Sequence, residues 1–292
     1  MMQESVKQNC LNYSVAAVVI IYNPPKEILN NIKTYVNQVS ALFIVDNSEY
    51  FNQNISDFCE SVSYCEYLPN NKNLGVAKGL NIGASKAIAK NFDYLLTMDQ
   101  DSKAPENLVL TLLGIISKSD KIGIVSPLHS NIFETHNKIY GKNIEQVSIA
   151  MTSGNLISLK AFQFVGKFNE NYFIDYVDIE YCLRLHINNF NIYRINDLVL
   201  EHHEGNLIKK KLLGKTFYPI NNEPIRIYYK TRNLLYLIKQ YKGSEKEQLK
   251  IEINVYLRNI IKLLLFEKNK VSKLKMVLNG VIDFSKGKTG KK

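Results

Sequence analysis

The sequence predicts an α/β protein with a mainly parallel central sheet flanked by helices, carrying a basic helical extension at its C-terminal end. Three observations predict it. Short apolar, β-branched segments alternate with helix-period segments through the first half. Two acids, Asp99 and Asp101, follow directly on one of those apolar segments. The charge is split: residues 205–292 carry a net +15 and residues 1–204 a net −5, within an overall +10.

The elements follow in order. "YSVAAVVIIY" (13–22) is short enough for a buried strand and is broken by "NPP". "KEILNNIKTYVNQV" places Ile28, Leu29, Ile32, Val36 and Val39 at helical spacing. "ALFIVDNS" (41–48) is a second strand ending in turn residues, and "SVSYCEYL" (61–68) a third. "GVAKGLNIGASKAIAK" (75–90) is a helix rich in small residues, and "DYLLTM" (93–98) the next buried strand. "PENLVLTLLGIISK" (105–118) is a helix with Pro at its start, followed by a strand at 121–128. Such alternation predicts a sheet covered on both faces, with ligands beyond the carboxyl ends of its strands. Asp46 and Asp99 fall at such ends.

The second half is less regular. A strand and helix start are expected within 148–162, a short helix at 178–189, and two strands, "FNIYRI" and "LVLEHH", at 190–195 and 198–203. From about 224 the pattern is helical, and the terminal "SKGKTGKK" has the composition of a disordered end. The division expected is a domain at 1–215 and a basic helical extension at 216–292.

Composition excludes several classes. No apolar stretch approaches the ~18–20 residues of a membrane span. The polar "MMQESVKQNC" lacks the apolar centre of a secretory signal. Cys10, Cys59, Cys65 and Cys182 are scattered without CxxC spacing, so neither a disulfide framework nor a zinc site is expected, and a reducing cytoplasm is the default. The basic tail suits an anionic lipid surface, a polyphosphate or nucleic acid, or is a solvated Lys-rich face. No nucleic-acid-binding module is recognisable, so none is expected as a partner. A nucleotidyltransferase would need a Gly- and basic-rich loop after the first strand, where the chain has "YNPPKE".

Four constellations carry chemistry. Asp99 and Asp101 repel one another unless a cation sits between them, so they mark a divalent-metal site or a solvated turn. "NKNLGVAKGLNIGA" contains Asn73, Gly75, Ala77, Lys78, Asn81 and Gly83, where a helix start could offer N–H groups to a ligand, or small residues could pack on the sheet. "YFIDYVDIEYCLRL" crowds Asp175, Asp178 and Glu180, as helix-start acids or as a general base. In "HHEG" the adjacent His202 and His203 point to opposite sides of a strand, so that one is a candidate ligand and the other a structural or surface residue.

Together with "VAAVVIIYN", "IVDNS", "TMDQDS" and "SGNLIS", these pieces are ordered as in the family 2 glycosyltransferases of the GT-A fold, which the chain resembles over most of residues 14–205. "FIDYVDIEYCLR" and "RIYYKTRNLLYL" resemble the rhamnosyltransferase subgroup of cell-surface polysaccharide synthesis, such as O-antigen and capsule. The resemblance implies an inverting transfer that depends on Mg²⁺ or Mn²⁺, from a nucleotide-diphosphate sugar, dTDP-L-rhamnose by subgroup, to a glycan or lipid-linked acceptor. It implies that Asp46 contacts the base, Asn73 and Lys78 the donor nucleotide, and Asp99 the nucleotide sugar. It assigns Asp101 to the metal, His202 to the metal or the diphosphate, and Asp178 to the general base. Many relatives have Glu-Asp where this chain has Val177-Asp178, which leaves Asp175 as a competing base. Loop 129–147 is expected to cover the site, and Arg226, Lys230 and Arg232 to hold a diphosphate or pack their helix. Apolar residues interleaved with Lys and Arg in 224–266 suit attachment at the inner face of the membrane, packing on the catalytic domain, or a homodimer.

Overall fold

A computed structural model describes residues 13–130, 143–202, 209–212, 215–219 and 221–292. The chain divides into two compact units. The first comprises residues 1–169 and 181–203, and the second 170–180 and 204–292.

In the first unit, β1 (Val15–Ile21), β2 (Ala41–Asp46), β3 (Cys65–Pro69) and β4 (Tyr94–Asp99) form the parallel part of the sheet, in the order 3-2-1-4. Every residue of β1 and β2 is buried, which is why these strands are continuously apolar rather than alternating. β8 (Asn155–Ser158) continues the sheet antiparallel to β4 and to β6 (Ile122–Ser130). β9 (Asn191–His202) runs parallel to β6 and pairs with the short β5 (Ser102–Lys103) and β7 (Ile144–Gln146). The two strands expected over 190–203 are thus one. A register shift opposite Pro127/Leu128 absorbs residues 196–198, so the polar Asn196-Asp197 bulges without ending the strand.

The helices are α1 (Ile28–Ile32), α2 (Gln53–Ser61), α3 (Val76–Ala89), α4 (Leu108–Ile116), α5 (Leu159–Val165) and α6 (Val177–Ile187), which straddles the two units. Ile28, Ile32, Leu108, Leu112 and Ile55 join strand residues such as Val19, Ile44 and Leu96 in one apolar core. Pro105 precedes α4 by three residues instead of opening it. α3 lies very close to β1. A Cβ at Gly79 would meet Ile20 at 2.8 Å, and one at Gly83 would collide with Val18. Cys59 and Cys65 lie side by side with Cα atoms 4.8 Å apart, because the short turn between α2 and β3 brings the pair together.

The second unit holds α7 (Pro224–Tyr241), α8 (Lys246–Phe266), α9 (Lys270–Ser285) and a hairpin of β10 (Lys210–Leu212) and β11 (Lys215–Phe217). Phe173, Tyr228 and Tyr229 form its apolar centre. The α7 stripe of Ile227, Leu234 and Leu237 is buried. The end of the chain is ordered, contrary to its composition. Gly290 N–H donates to the Asn171 carbonyl at 2.8 Å, Tyr236 O–H to that of Lys288 at 3.0 Å, and Lys292 N–H to the Tyr229 hydroxyl at 2.9 Å. Among the described residues no helix is long and apolar enough to cross a membrane.

Candidate active site

At the carboxyl ends of β1–β3 the chain builds a polar knot. Asp46 closes β2 and is buried, accepting from Ser48 N–H and Tyr67 O–H, both at 2.7 Å. Burial, then the bond to Asp46, pushes the Tyr67 phenol up to about 12. Asn47 donates to the Gly75 carbonyl at 3.1 Å and accepts from Asn70 at 3.0 Å, while Asn23 N–H donates to Ser48 Oγ at 2.8 Å. Beside this knot lies a cleft of about 280 Å³ bordered by Asn23, Ser48, Tyr50, Phe51 and Asn52. Tyr50 is 80% exposed on its rim.

The Asp99-Gln100-Asp101 turn is held from three sides. Asp99 N–H donates to Ser153 Oγ at 3.1 Å. Gln100 accepts at its side-chain oxygen from Tyr22 N–H at 2.9 Å and at its carbonyl from Asn31 at 2.8 Å. Ser153 also donates to Ser102 at 2.7 Å, and its carbonyl accepts from His129 Nε2 at 2.7 Å. Gly154, in the left-handed region at φ +76°, donates to the Thr97 carbonyl at 2.7 Å and lets the loop approach β4. Asp99 and Asp101 are half-buried. The buried Tyr35 phenol is raised, chiefly by burial and then by the Asp99 charge. Ser102 of β5 pairs with His202 of β9, which puts the backbone of His202 one residue from Asp101 across the ladder.

The Asn73-to-Gly83 motif divides in two. Asn73 Oδ1 accepts from Gly75 N–H at 2.9 Å, and Gly75, at φ +85°, opens α3. Asn81 is buried and bonds both backbone groups of Phe168 at 2.9 Å, a structural tie. Lys78 is half-buried on the first turn.

In the second unit the chain turns sharply before α6. Phe173, Asp175 and Tyr176 all have φ between 55° and 66°. Asn233 holds this turn by donating to the carbonyls of Tyr172, Ile174 and Asp175 at 2.7, 2.8 and 3.1 Å. Arg226 grips Asp175 with two bonds of 2.8 and 2.6 Å. Asp178 and Glu180 are first-turn acids of α6, and Asp178 accepts from Ile179 N–H at 2.9 Å. Glu180 is buried and accepts from Tyr241 O–H at 2.8 Å. Burial raises Glu252 of α8; a bond from Gln248 opposes this and the Asp178 charge adds to it. The Tyr176 phenol is raised by burial, then by Glu252 and Asp175. Arg232 is completely buried, donating to the Gly290 carbonyl at 2.8 Å and lying over the Tyr228 and Tyr229 rings. These contacts serve packing.

Sequence reasoning missed Ser153, His129, Tyr67, Asn233 and Glu252. "SGNLIS", the loop 129–147 and "RIYYKTRNLLYL" covered Ser153, His129 and Asn233 without singling those residues out. Most of the loop expected to cover the site, residues 131–142, lies outside the described residues.

The family model for glycosyl transferase family 2 matches residues 16–177. The chain belongs to this family. It is a glycosyltransferase, and a rhamnosyltransferase-like one. It is 27% identical to the dTDP-rhamnosyl transferase RfbF of Shigella flexneri over 96% of this chain and 98% of that one. To the low-salt glycan biosynthesis hexosyltransferase Agl10 of Haloferax volcanii it is 24% identical over 60% of this chain and 63% of the other. GalNAc-T7, solved with UDP, GalNAc and Mn²⁺, superposes with a TM-score of 0.62 at 12% identity, over 94% of this chain and 58% of that one. S. aureus TarS 1–349 with UDP-GlcNAc gives 0.59 at 11% identity, over 93% and 80%. The fold of this family-2 enzyme is therefore GT-A.

A divalent cation fits the residues present. Among the described residues no three His, Cys, Asp or Glu cluster as a metal cage. Mg²⁺ and Mn²⁺ at phosphate-transfer sites need none, because one or two protein ligands suffice when substrate phosphate oxygens complete the shell. Asp101, with the backbone of His202 beside it, has that composition.

Proposed function

We propose that this family-2 glycosyltransferase is an inverting, divalent-metal-dependent rhamnosyltransferase that moves L-rhamnose from dTDP-L-rhamnose to a glycan or lipid-linked acceptor of a cell-surface polysaccharide. The observation that carries the proposal is the Asp99-Gln100-Asp101 turn, fixed at a strand end with the backbone of His202 across from it. Asp101 and His202 would hold the cation, which would supply charge to offset the leaving diphosphate. Asp99 and Lys78 bind the donor beyond the strand ends, and Asn73 shapes the turn that opens α3. Asp46 organises the edge of the cleft that takes the base.

Asp178 accepts the proton of the acceptor hydroxyl. The oxygen then attacks the anomeric carbon from the face opposite the leaving group, a new C–O bond forms, and the bond to the diphosphate breaks. Asp175 is the weaker claimant, because Arg226 occupies both of its carboxylate oxygens. Arg226 in turn keeps exposed area from which to meet an anionic acceptor group.

The test is a panel of nucleotide sugars scored for nucleotide release, with Mg²⁺, with Mn²⁺ and with chelator. Release from dTDP-L-rhamnose above all others, abolished by chelator, is the expected result. Preference for another donor overturns the sugar assignment, and full activity in chelator overturns the metal.

A further inference from the structure

The outward faces of α8 and α9 are apolar. On α8 the buried residues Leu249, Glu252 and Leu263 define the inner side. At 100° per residue the opposite side carries Leu257, Ile261, Leu264 and Leu265, which are 44–56% exposed. On α9 the buried Lys273 and Gly280 face inward, and Val271, Leu274, Leu278 and Ile282 recur every three or four residues on the outer side. A surface helix ordinarily turns its charged side to water. These two leave apolar stripes uncovered.

From residue 250 onward the exposed charges around the stripes are cationic, and the exposed Glu247 at the start of α8 is paired with Lys250. Lys250, Arg258, Lys268, Lys270, Lys275 and Lys286 are exposed. The acids from residue 250 onward are withdrawn. Glu252 is 8% exposed, Glu267 is buried in an ion pair of 2.7 Å with Lys273, and Asp283 accepts from Tyr228 and pairs with Lys288. Apolar side chains ringed by cations, with the acids turned inward, need a partner that is both apolar and anionic.

We propose that the outer faces of α8 and α9 bind the surface of an anionic lipid bilayer, apolar side chains among the acyl chains and cations on the headgroups. A second copy of this chain is the poorer partner. A two-fold contact would set the same cations against themselves, with Glu247 of α8, already paired with Lys250, as the exposed acid to answer them. Nucleic acid offers phosphates but nothing for the stripe of Leu and Ile. The inference stands apart from the donor and acceptor assignments.

The experiment is co-sedimentation of the full chain with phosphatidylcholine vesicles, with and without phosphatidylglycerol, at low and high salt. Binding is expected only with the anionic lipid and is expected to fall with salt. Ile261→Glu and Leu278→Glu should abolish it, and Ile261→Ser should weaken it. All three sit on exposed positions, so circular dichroism should be unchanged. Arg258→Ser and Lys275→Ser should each weaken binding about fivefold. Protein that stays in the supernatant overturns the proposal. So do equal binding to neutral vesicles, binding indifferent to Ile261→Glu, and a dimer that this substitution splits while vesicles go unbound.

Discussion

Two polar clusters in the molecule are held in opposite ways. The strand-end cluster around Asp46, Asp99 and Ser153 uses neutral donors and takes positive φ only at Asn23 and at glycines, with the sheet register already setting the geometry. The turn before α6 uses three non-glycine residues with positive φ, held by one amide and one guanidinium from α7. Each such conformation costs on the order of 1–3 kcal/mol unless its surroundings enforce it. The strand-end cluster is a by-product of a buried sheet, whereas the turn exists only while Asn233 and Arg226 hold it. The first should therefore tolerate substitution structurally and fail chemically; the second should fail in both respects.

The most severe test of that contrast is Asp101→Asn. Turnover should fall about 10³-fold, the scale of lost metal charge stabilisation, while the thermal midpoint stays put, read by nucleotide release and differential scanning fluorimetry. A large drop in midpoint would make the turn structural. Next comes Asp178→Asn, with donor affinity kept and the rate down roughly 10²–10⁴-fold. Asp175→Asn should cost less rate but lower the midpoint, because it frees Arg226 inside the turn. The reverse ranking moves the base to Asp175.

Asn233→Ala should lower stability by about 3 kcal/mol, since buried carbonyls lose their donor. Denaturant titration checks this, and an unchanged midpoint would show that the turn holds itself. The smallest effect belongs to Tyr67. Its phenol is raised from the usual 10 to about 12, so its contribution to stability is complete below about 10 and is lost as pH rises through 12. Tyr67→Phe should flatten that alkaline loss and weaken donor binding modestly. Midpoints measured across the alkaline range would detect it.

The same contrast explains what could be read from the sequence. β1, β2 and β4 were legible because burial on both faces leaves an unbroken apolar run, and Asp99 and Asp101 stood out as acids at the end of one. Ser153 was not legible, because its importance comes from β8 lying antiparallel beside β4, which no local pattern encodes. Asn233 sits in a helix whose apolar stripe announces packing and says nothing of an amide serving carbonyls some sixty residues away. The terminal Lys- and Gly-rich stretch has a disordered composition, yet its backbone is taken up by Asn171, Tyr229 and Arg232. Composition counts side chains, and these bonds run largely through the main chain.

The close approach of α3 to β1 links two positions in descent. With no room for a methyl group at Gly83 beside Val18, neither residue is free to drift alone. In a randomised library screened for folded protein, alanine at 83 should survive chiefly where 18 has shrunk to alanine or glycine. The same exchange should recur among diverging homologues as a correlated pair. Donor and acceptor preference can change freely around such a pair, while the helix and strand that carry the nucleotide edge keep their spacing.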